Sequence, residues 1–212
     1  MLVTFYRVSR LHLTRCSNGL VKLSLVLQKP QNNRQFNSPL CTALCGSIKI
    51  IMKIIFANKT HIEQILPIFM ELEEYYFGGK AASLESIRNY FQSRVFSEIS
   101  GVQVLLAIDE SDQAVGLATF SVLYPAPRLS GQIYMKDLFT SASSRGTGVG
   151  KQLMQFIANY ALENGCNRLD WTAESSNPVA GEFYAAIGAD QVKEKQYFRF
   201  EGSALSKFAT AT

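Results

Sequence analysis

The chain has 212 residues, 47% hydrophobic and 18% charged, enough for one domain with a full core. Its net charge of +4 comes from one end: residues 1–51 hold seven Lys or Arg and no acid, which leaves 14 basic against 17 acidic residues further on, a net of −3. A slightly acidic body argues against nucleic acid as a partner, and no apolar run approaches the length of a membrane-spanning helix.

Residues 1–51 read as a leader outside the domain. The stretch lacks strong periodicity, contains "QKPQNNRQFNSP", and has its longest apolar run, "LVKLSLVL", interrupted by Lys22. A secretory signal would need an uninterrupted apolar region and a small-residue cleavage site, both missing here; a basic, acid-free, Ser-containing leader is instead similar to an organelle transit peptide. The simpler expectation is that Met52 is the true start and that the upstream part is disordered or spurious, so that the domain is 52–212. Cys16, Cys41 and Cys45 precede this boundary and Cys166 follows it. Neither set has metal-site spacing or an even disulfide framework, which points to a reducing, cytoplasmic setting with no metal.

From Met52 the elements follow in chain order. "KIIFA" (53–57) is a short buried strand. Thr60 with Glu63 three residues on forms a capping box for a helix carrying Ile62, Ile65, Leu66, Phe69, Met70 and Leu72 on one stripe, bent at Pro67 and stopped by Gly78-Gly79. A second helix runs from about Ser83 to Phe96. "QVLLAID", "AVGLATFSVL" and "GQIYMKDLFT" are three successive strands. Val149, Leu153, Phe156, Ile157, Tyr160 and Ala161 mark the next helix, with Gly165 as its stop. "RLDWTA" is a strand, "PVAGEFYAAIG" a short helix entered through Pro178, and "KEKQYFRFEG" a final strand. The order is βααβββαβαβ: an α/β (α+β) chain with a mixed, mostly antiparallel sheet flanked by helices.

The stretch "SSRGTGVGKQLM" (143–154) sets Arg145, Gly146, Thr147, Gly148, Val149, Gly150 and Lys151 before a helix. Small residues, free backbone N–H groups, the positive end of the helix dipole and two cations suit a phosphate group. A dinucleotide fingerprint would instead follow the first strand of a βαβ unit, whereas this turn comes after several strands.

This order and the motif Arg145-Gly-Thr-Gly148-Val-Gly150 resemble the GCN5-related N-acetyltransferase (GNAT) superfamily over residues 52–200. "IYMKDLF", "LDWTAESSNP" and "FYAAIGA" look most like its diamine acetyltransferase branch. The resemblance implies that the anion is the pyrophosphate of acetyl-CoA, the acetyl donor. It implies that the backbone of Leu138, Phe139 and Thr140 pairs with the pantetheine arm between splayed strands and polarises the thioester carbonyl. Asn177 matches a coenzyme-contacting Asn, and is equally suited to cap the helix at Pro178. Tyr184 matches the tyrosine that protonates the departing thiolate; a core packing role is the other reading. Phenol is available for that task because its ordinary pKa, above that of a thiol, keeps it protonated at neutral pH.

One position departs from the branch. A glutamate is usual just before the strand aspartate, whereas here the pair is Lys136-Asp137. This puts polyamine specificity in doubt, and strand alternation would turn Asp137 away from the side of Lys136. The acidic and aromatic run "ELEEYYF" (71–77) then offers Glu71, Glu74 and Tyr75 to a cationic acceptor, or forms a solvated helix end. The expected function is acetyl transfer from acetyl-CoA to a primary amine of a small molecule, a polyamine or amino-acid-like amine. Alternatives are a protein or tRNA-linked amine as acceptor, or a non-catalytic acyl-CoA-binding regulatory module. The family often forms homodimers, which extends to this chain as an expectation.

Overall fold

The computed structural model describes Arg7–Arg15, Val21–Gln28 and residues 52–211, and the chain divides into two compact units, Met1–Lys49 and Ile50–Thr212. In the first unit, β1 (Arg7–Arg15) and β2 (Val21–Gln28) pair antiparallel, with Leu11 opposite Leu25 and Leu13 opposite Leu23. The sequence reading expected no element there. The reason for these strands is the period-two alternation in "RLHLTR" and "VKLSL", short enough to be missed beside the polar tract that follows.

The second unit is built on five strands: β3 (Lys53–Ala57), β4 (Val102–Ile108), β5 (Ala114–Ala126), β6 (Ser130–Thr140) and β7 (Cys166–Trp171), in that spatial order. The first four pair antiparallel; β7 joins β6 in parallel, after the chain crosses over through α3 (Val149–Glu163). The β4 alternation shows how the two faces are filled. Leu105 and Ala107 lie in a core with Phe120, Ile133, Met135 and the α3 residues Leu153, Ile157 and Ala161. Val104, Leu106 and Ile108 lie in a second core with α1 (Ile62–Phe77), α2 (Leu84–Tyr90) and the helical turn after it (Phe91–Val95), through Ile65, Leu66, Ile68, Leu72, Ile87 and Phe91. Burying each such large side chain stabilises the fold by about 1.5–3 kcal/mol before entropy is counted. The sheet is therefore the middle of three layers, as its pattern predicts.

Three boundaries differ from expectation. The start of α1 is capped one turn earlier: Asn58 accepts from the Thr60 amide at 2.8 Å, and His61, not Glu63, completes the capping box of a 3₁₀ turn (Lys59–His61). Pro67 is accommodated inside an uninterrupted helix, with Ile65, Leu66 and Ile68 around it all buried. The predicted last strand, 193–202, is not formed. Backbone bonds in a strand come only from a partner strand, and no strand of the sheet pairs with this segment. A short exposed helix, α5 (Ser203–Ala209), follows it instead.

Candidate active site

The site lies where β6 and β7 part. Their parallel register runs from Gly131 opposite Cys166 to Met135 opposite Trp171 and ends there. Beyond it, β6 stays paired to β5 as far as Thr140 opposite Gly116, so Lys136–Thr140 keeps a backbone edge where β7 has left, with Thr140 O accepting from Arg145 Nε at 3.3 Å. Leu138 is half-buried against the α3-side core, Phe139 is buried on the α1 side, and Thr140 is half-buried at the strand's end. A polar chain laid in this gap would find amide donors and acceptors like those of an added strand.

At the mouth of the gap stands the glycine turn. Gly146 and Gly148 have φ of +75° and +92°, a backbone that side chains resist, and space around both is open. Gly148 is the N-cap of α3 with no side-chain cap, and the first intrahelical bond is Gln152 N–H to Gly148 O at 3.0 Å. The amides of Val149, Gly150 and Lys151 thus have no intrahelical acceptor, and the positive end of a 15-residue helix points out of the fold. Thr147 closes the turn by donating to Ser144 O at 2.6 Å. The side chain of Val149 is buried and packs on Gly116, where a Cβ would lie 2.4 Å from Val149 Cγ1. Lys151 is exposed and lines a cleft of about 220 Å³ between α3, β7 and residues 187–189, which follow α4 (Pro178–Ala186). Arg145 turns back toward α1, its guanidinium 5.7 Å from the centroids of both Tyr75 and Phe139.

The run at the end of α1 divides between uses. Glu71 Oε1 accepts from the Ala142 amide at 2.6 Å, which ties α1 to the loop leading into the turn. Tyr75 stands over Phe139, and its hydroxyl accepts from Asn177 Nδ2 at 3.3 Å. Asn177 also caps α4, its Oδ1 accepting from the Ala180 amide at 3.1 Å. Glu74 is exposed and joins neither arrangement. The structure therefore brings Glu71, Tyr75, Arg145 and Asn177 around the turn and leaves Glu74 aside.

Tyr184, on α4, is half-buried against Trp171, the residue at which β7 leaves β6, with ring centroids 5.0 Å apart. Burial pushes its phenol above the usual range, and the neighbouring Tyr76 adds to the rise. Tyr76 is a residue the sequence reading did not single out. Its own phenol is raised by burial and then by Asp137 and Tyr75, while Lys136 opposes.

Asp137 also reaches this cluster, against the expectation from strand alternation. Thr119 pairs with Asp137 and Phe120 with Met135, so Lys136 is an extra residue in β6, a bulge. The bulge flips the phase of the strand: Ile133 and Met135 face the α3 side, whereas Phe139 faces α1. Asp137 follows Phe139, with its Oδ2 accepting from Thr119 Oγ1 at 2.5 Å. Lys136, exposed at the bulge, still reaches it, Nζ lying 3.7 Å from Asp137 Oδ1. A bulge is a property of two paired strands, so the sequence of β6 alone carried no signal for it.

Among the described residues no group of three His, Cys, Asp or Glu could hold a metal ion, and no helix is long and apolar enough to cross a membrane. The GNAT acetyltransferase family model matches residues 65–189. The chain is 34% identical over 80 residues to bovine thialysine N-epsilon-acetyltransferase, covering 36% of this chain and 47% of that protein. It is 32% identical over 90 residues to an L-ornithine N5-acetyltransferase of Arabidopsis thaliana, covering 42% and 40%. It thus spans about half the length of the curated relatives it matches. An integron cassette protein from the mobile metagenome of Vibrio cholerae superposes with a TM-score of 0.73 at 52% identity, covering 76% of this chain and 98% of that one. With the family model matched across the parted strands, the glycine turn and α4, the chain belongs to the GNAT acetyltransferase family.

Proposed function

We propose that this chain is an N-acetyltransferase that passes the acetyl group of acetyl-CoA directly to a primary amine of a small, amino-acid-like molecule or polyamine. The observation that carries this reading is the opening of β6 from β7 between an uncapped α3 N-terminus and Tyr184. The residues fit the donor. Amides of the Gly146–Lys151 turn, with Lys151, bind the pyrophosphate, and Arg145 joins them once it leaves Thr140 O; the edge of Lys136–Thr140 takes the pantetheine arm and polarises the thioester carbonyl. The neutral acceptor nitrogen attacks that carbon, a C–N bond forms, the C–S bond breaks, Tyr184 gives its proton to the thiolate, and the N–H proton shed by the acylated nitrogen restores Tyr184 through solvent. On ordinary pKa values the transfer from phenol to thiolate is uphill by about 1.5 units, roughly 2 kcal/mol, and burial adds to that cost, while the same high pKa keeps the Tyr184 proton in place at neutral pH. Asp137, beside Tyr76, is the carboxylate placed to attract the cationic acceptor and orient it for loss of a proton to solvent.

The relatives that act, by name, on thialysine and ornithine support an amine borne on a small amino acid. The exposed Lys136 beside Asp137 disfavours long polycations, because a fixed cation repels their second charge. Release of free thiol from acetyl-CoA, measured with lysine-like and ornithine-like amines, diamines, aminoglycosides and peptides, tests the proposal. Amine-dependent release highest with the amino-acid-like group is expected. Acetyl-CoA binding without release for any acceptor would replace it with a non-catalytic binding module.

A further inference from the structure

A cavity that the acetyl-transfer chemistry leaves unused lies at the end of β7. Its volume of about 410 Å³ falls within the roughly 300–1,000 Å³ of small-molecule sites, and Thr172, Ala173, Glu174, Tyr197 and Arg199 line it. Two opposite charges, Glu174 and Arg199, thus share one cavity, and both side chains are exposed. They do not pair with each other. Arg199 instead meets Glu201 at 3.4 Å and lies over the Tyr197 ring, its guanidinium 5.3 Å from the centroid. A guanidinium presents five N–H donors in a planar fork, more than these two neighbours use.

The cavity adjoins the reacting centre. Thr172 follows Trp171, whose ring centroid is 5.0 Å from that of Tyr184, and Thr172 Oγ1 lies 3.3 Å from the Tyr134 hydroxyl on β6. The Tyr76 phenol, raised first by burial and then by Asp137, also feels the Glu174 carboxylate. A molecule seated between Glu174 and Arg199 can therefore extend a short arm toward Asp137 and Tyr184.

We infer that this cavity is a subsite for the zwitterionic end of an α-amino acid, Arg199 holding its α-carboxylate and Glu174 its α-ammonium, while the side-chain amine reaches the acetyl donor. The inference rests on the amine-acetylating reading of the site and adds to it the groups that select among amines. Charge decides the class of ligand. An acid without an α-amine meets repulsion from Glu174, and a diamine brings no anion to Arg199, whereas a zwitterion answers both charges at once. Arginine suits a carboxylate because its fork can donate to both oxygens, and the Tyr197 face beneath it limits the orientations of that fork.

Calorimetric titration of the full-length chain with three compounds tests this: L-ornithine, 1,4-diaminobutane, which lacks its carboxylate, and 5-aminopentanoate, which lacks its α-ammonium. Ornithine should bind about three- to tenfold more tightly than either, the size expected of charge pairs at a partly open site. Arg199→Gln should erase the preference over 1,4-diaminobutane, and Glu174→Gln the preference over 5-aminopentanoate. Both replace exposed side chains, so circular dichroism should match the parent. Equal affinities for the three compounds, no binding of ornithine, or preferences that survive the substitutions would overturn the subsite. Thiol release from acetyl-CoA, read on the same samples, separates the two readings. Ornithine binding that depends on both residues but yields no thiol would keep the subsite and sink the acetyltransferase. Thiol release with ornithine that neither substitution alters would do the reverse.

Discussion

Tyr184 combines a proton, a half-buried position and a neighbour at the point where the two central strands part. Replacing it with Phe keeps the ring that packs on Trp171 and removes only the hydroxyl, so turnover should fall by about 10²-fold while affinity for acetyl-CoA is unchanged. Because burial raises this phenol, the acid form persists through neutral pH and is lost only above the usual tyrosine value. Turnover should therefore climb from pH 7 to 9 as the acceptor amine loses its proton, with no decline in that window from Tyr184. A pH profile of kcat for both proteins checks this; a fall between pH 7 and 9 present in the parent and absent from Tyr184→Phe would contradict it. Tyr184 was singled out from the sequence through its Phe-Tyr motif, and the structure sets it against Trp171. Tyr76 was not, because adjacent tyrosines at a helix end look alike until packing sets one against Asp137.

At the scale of the element, the α3 N-terminus acts by where it is held. Val149 enters the core beside Gly116 on β5, and that close approach fixes the helix end against the strand that pairs with the Lys136–Thr140 edge. Gly116→Ala would bring a methyl group within 2.4 Å of Val149 Cγ1 and 3.1 Å of Leu153 Cδ1, which forces the helix outward. A loss of about 1–3 kcal/mol in denaturant unfolding is expected, together with weaker acetyl-CoA binding. An unchanged unfolding midpoint would show that the helix yields freely. The bulge at Lys136 works at the same scale, since one extra residue moves Asp137 to the α1 face and leaves Lys136 at the surface. Sequence alternation was read correctly up to Met135 and failed beyond it, since only the register against β5 shows the inserted residue.

For the molecule as a whole, the division at residues 49 and 50 falls close to the change in charge and composition at Met52. We propose that the enzyme functions from Met52 onward. A chain beginning there contains the whole five-stranded sheet and both cores, so it should fold with the same thermal midpoint and turnover as the 212-residue chain. Intact mass of the protein made from its native gene would check the start directly; an N-terminus at Met1 would contradict the proposal.

The amino-acid sequence by itself determined the three-layer arrangement and the glycine turn before α3. Period-two and period-3.6 burial are local patterns, and the positive-φ glycines Gly146 and Gly148 announce a backbone that few other residues adopt. Tertiary structure decided the rest. The parting of β6 from β7, the bulge that brings Asp137 beside Thr119, the use of Glu71 as a tie to Ala142 and the failure of residues 193–202 to form a strand depend on which strand lies next to which. Hydrogen bonds between strands are made by pairs, and no single segment carries the information about its partner.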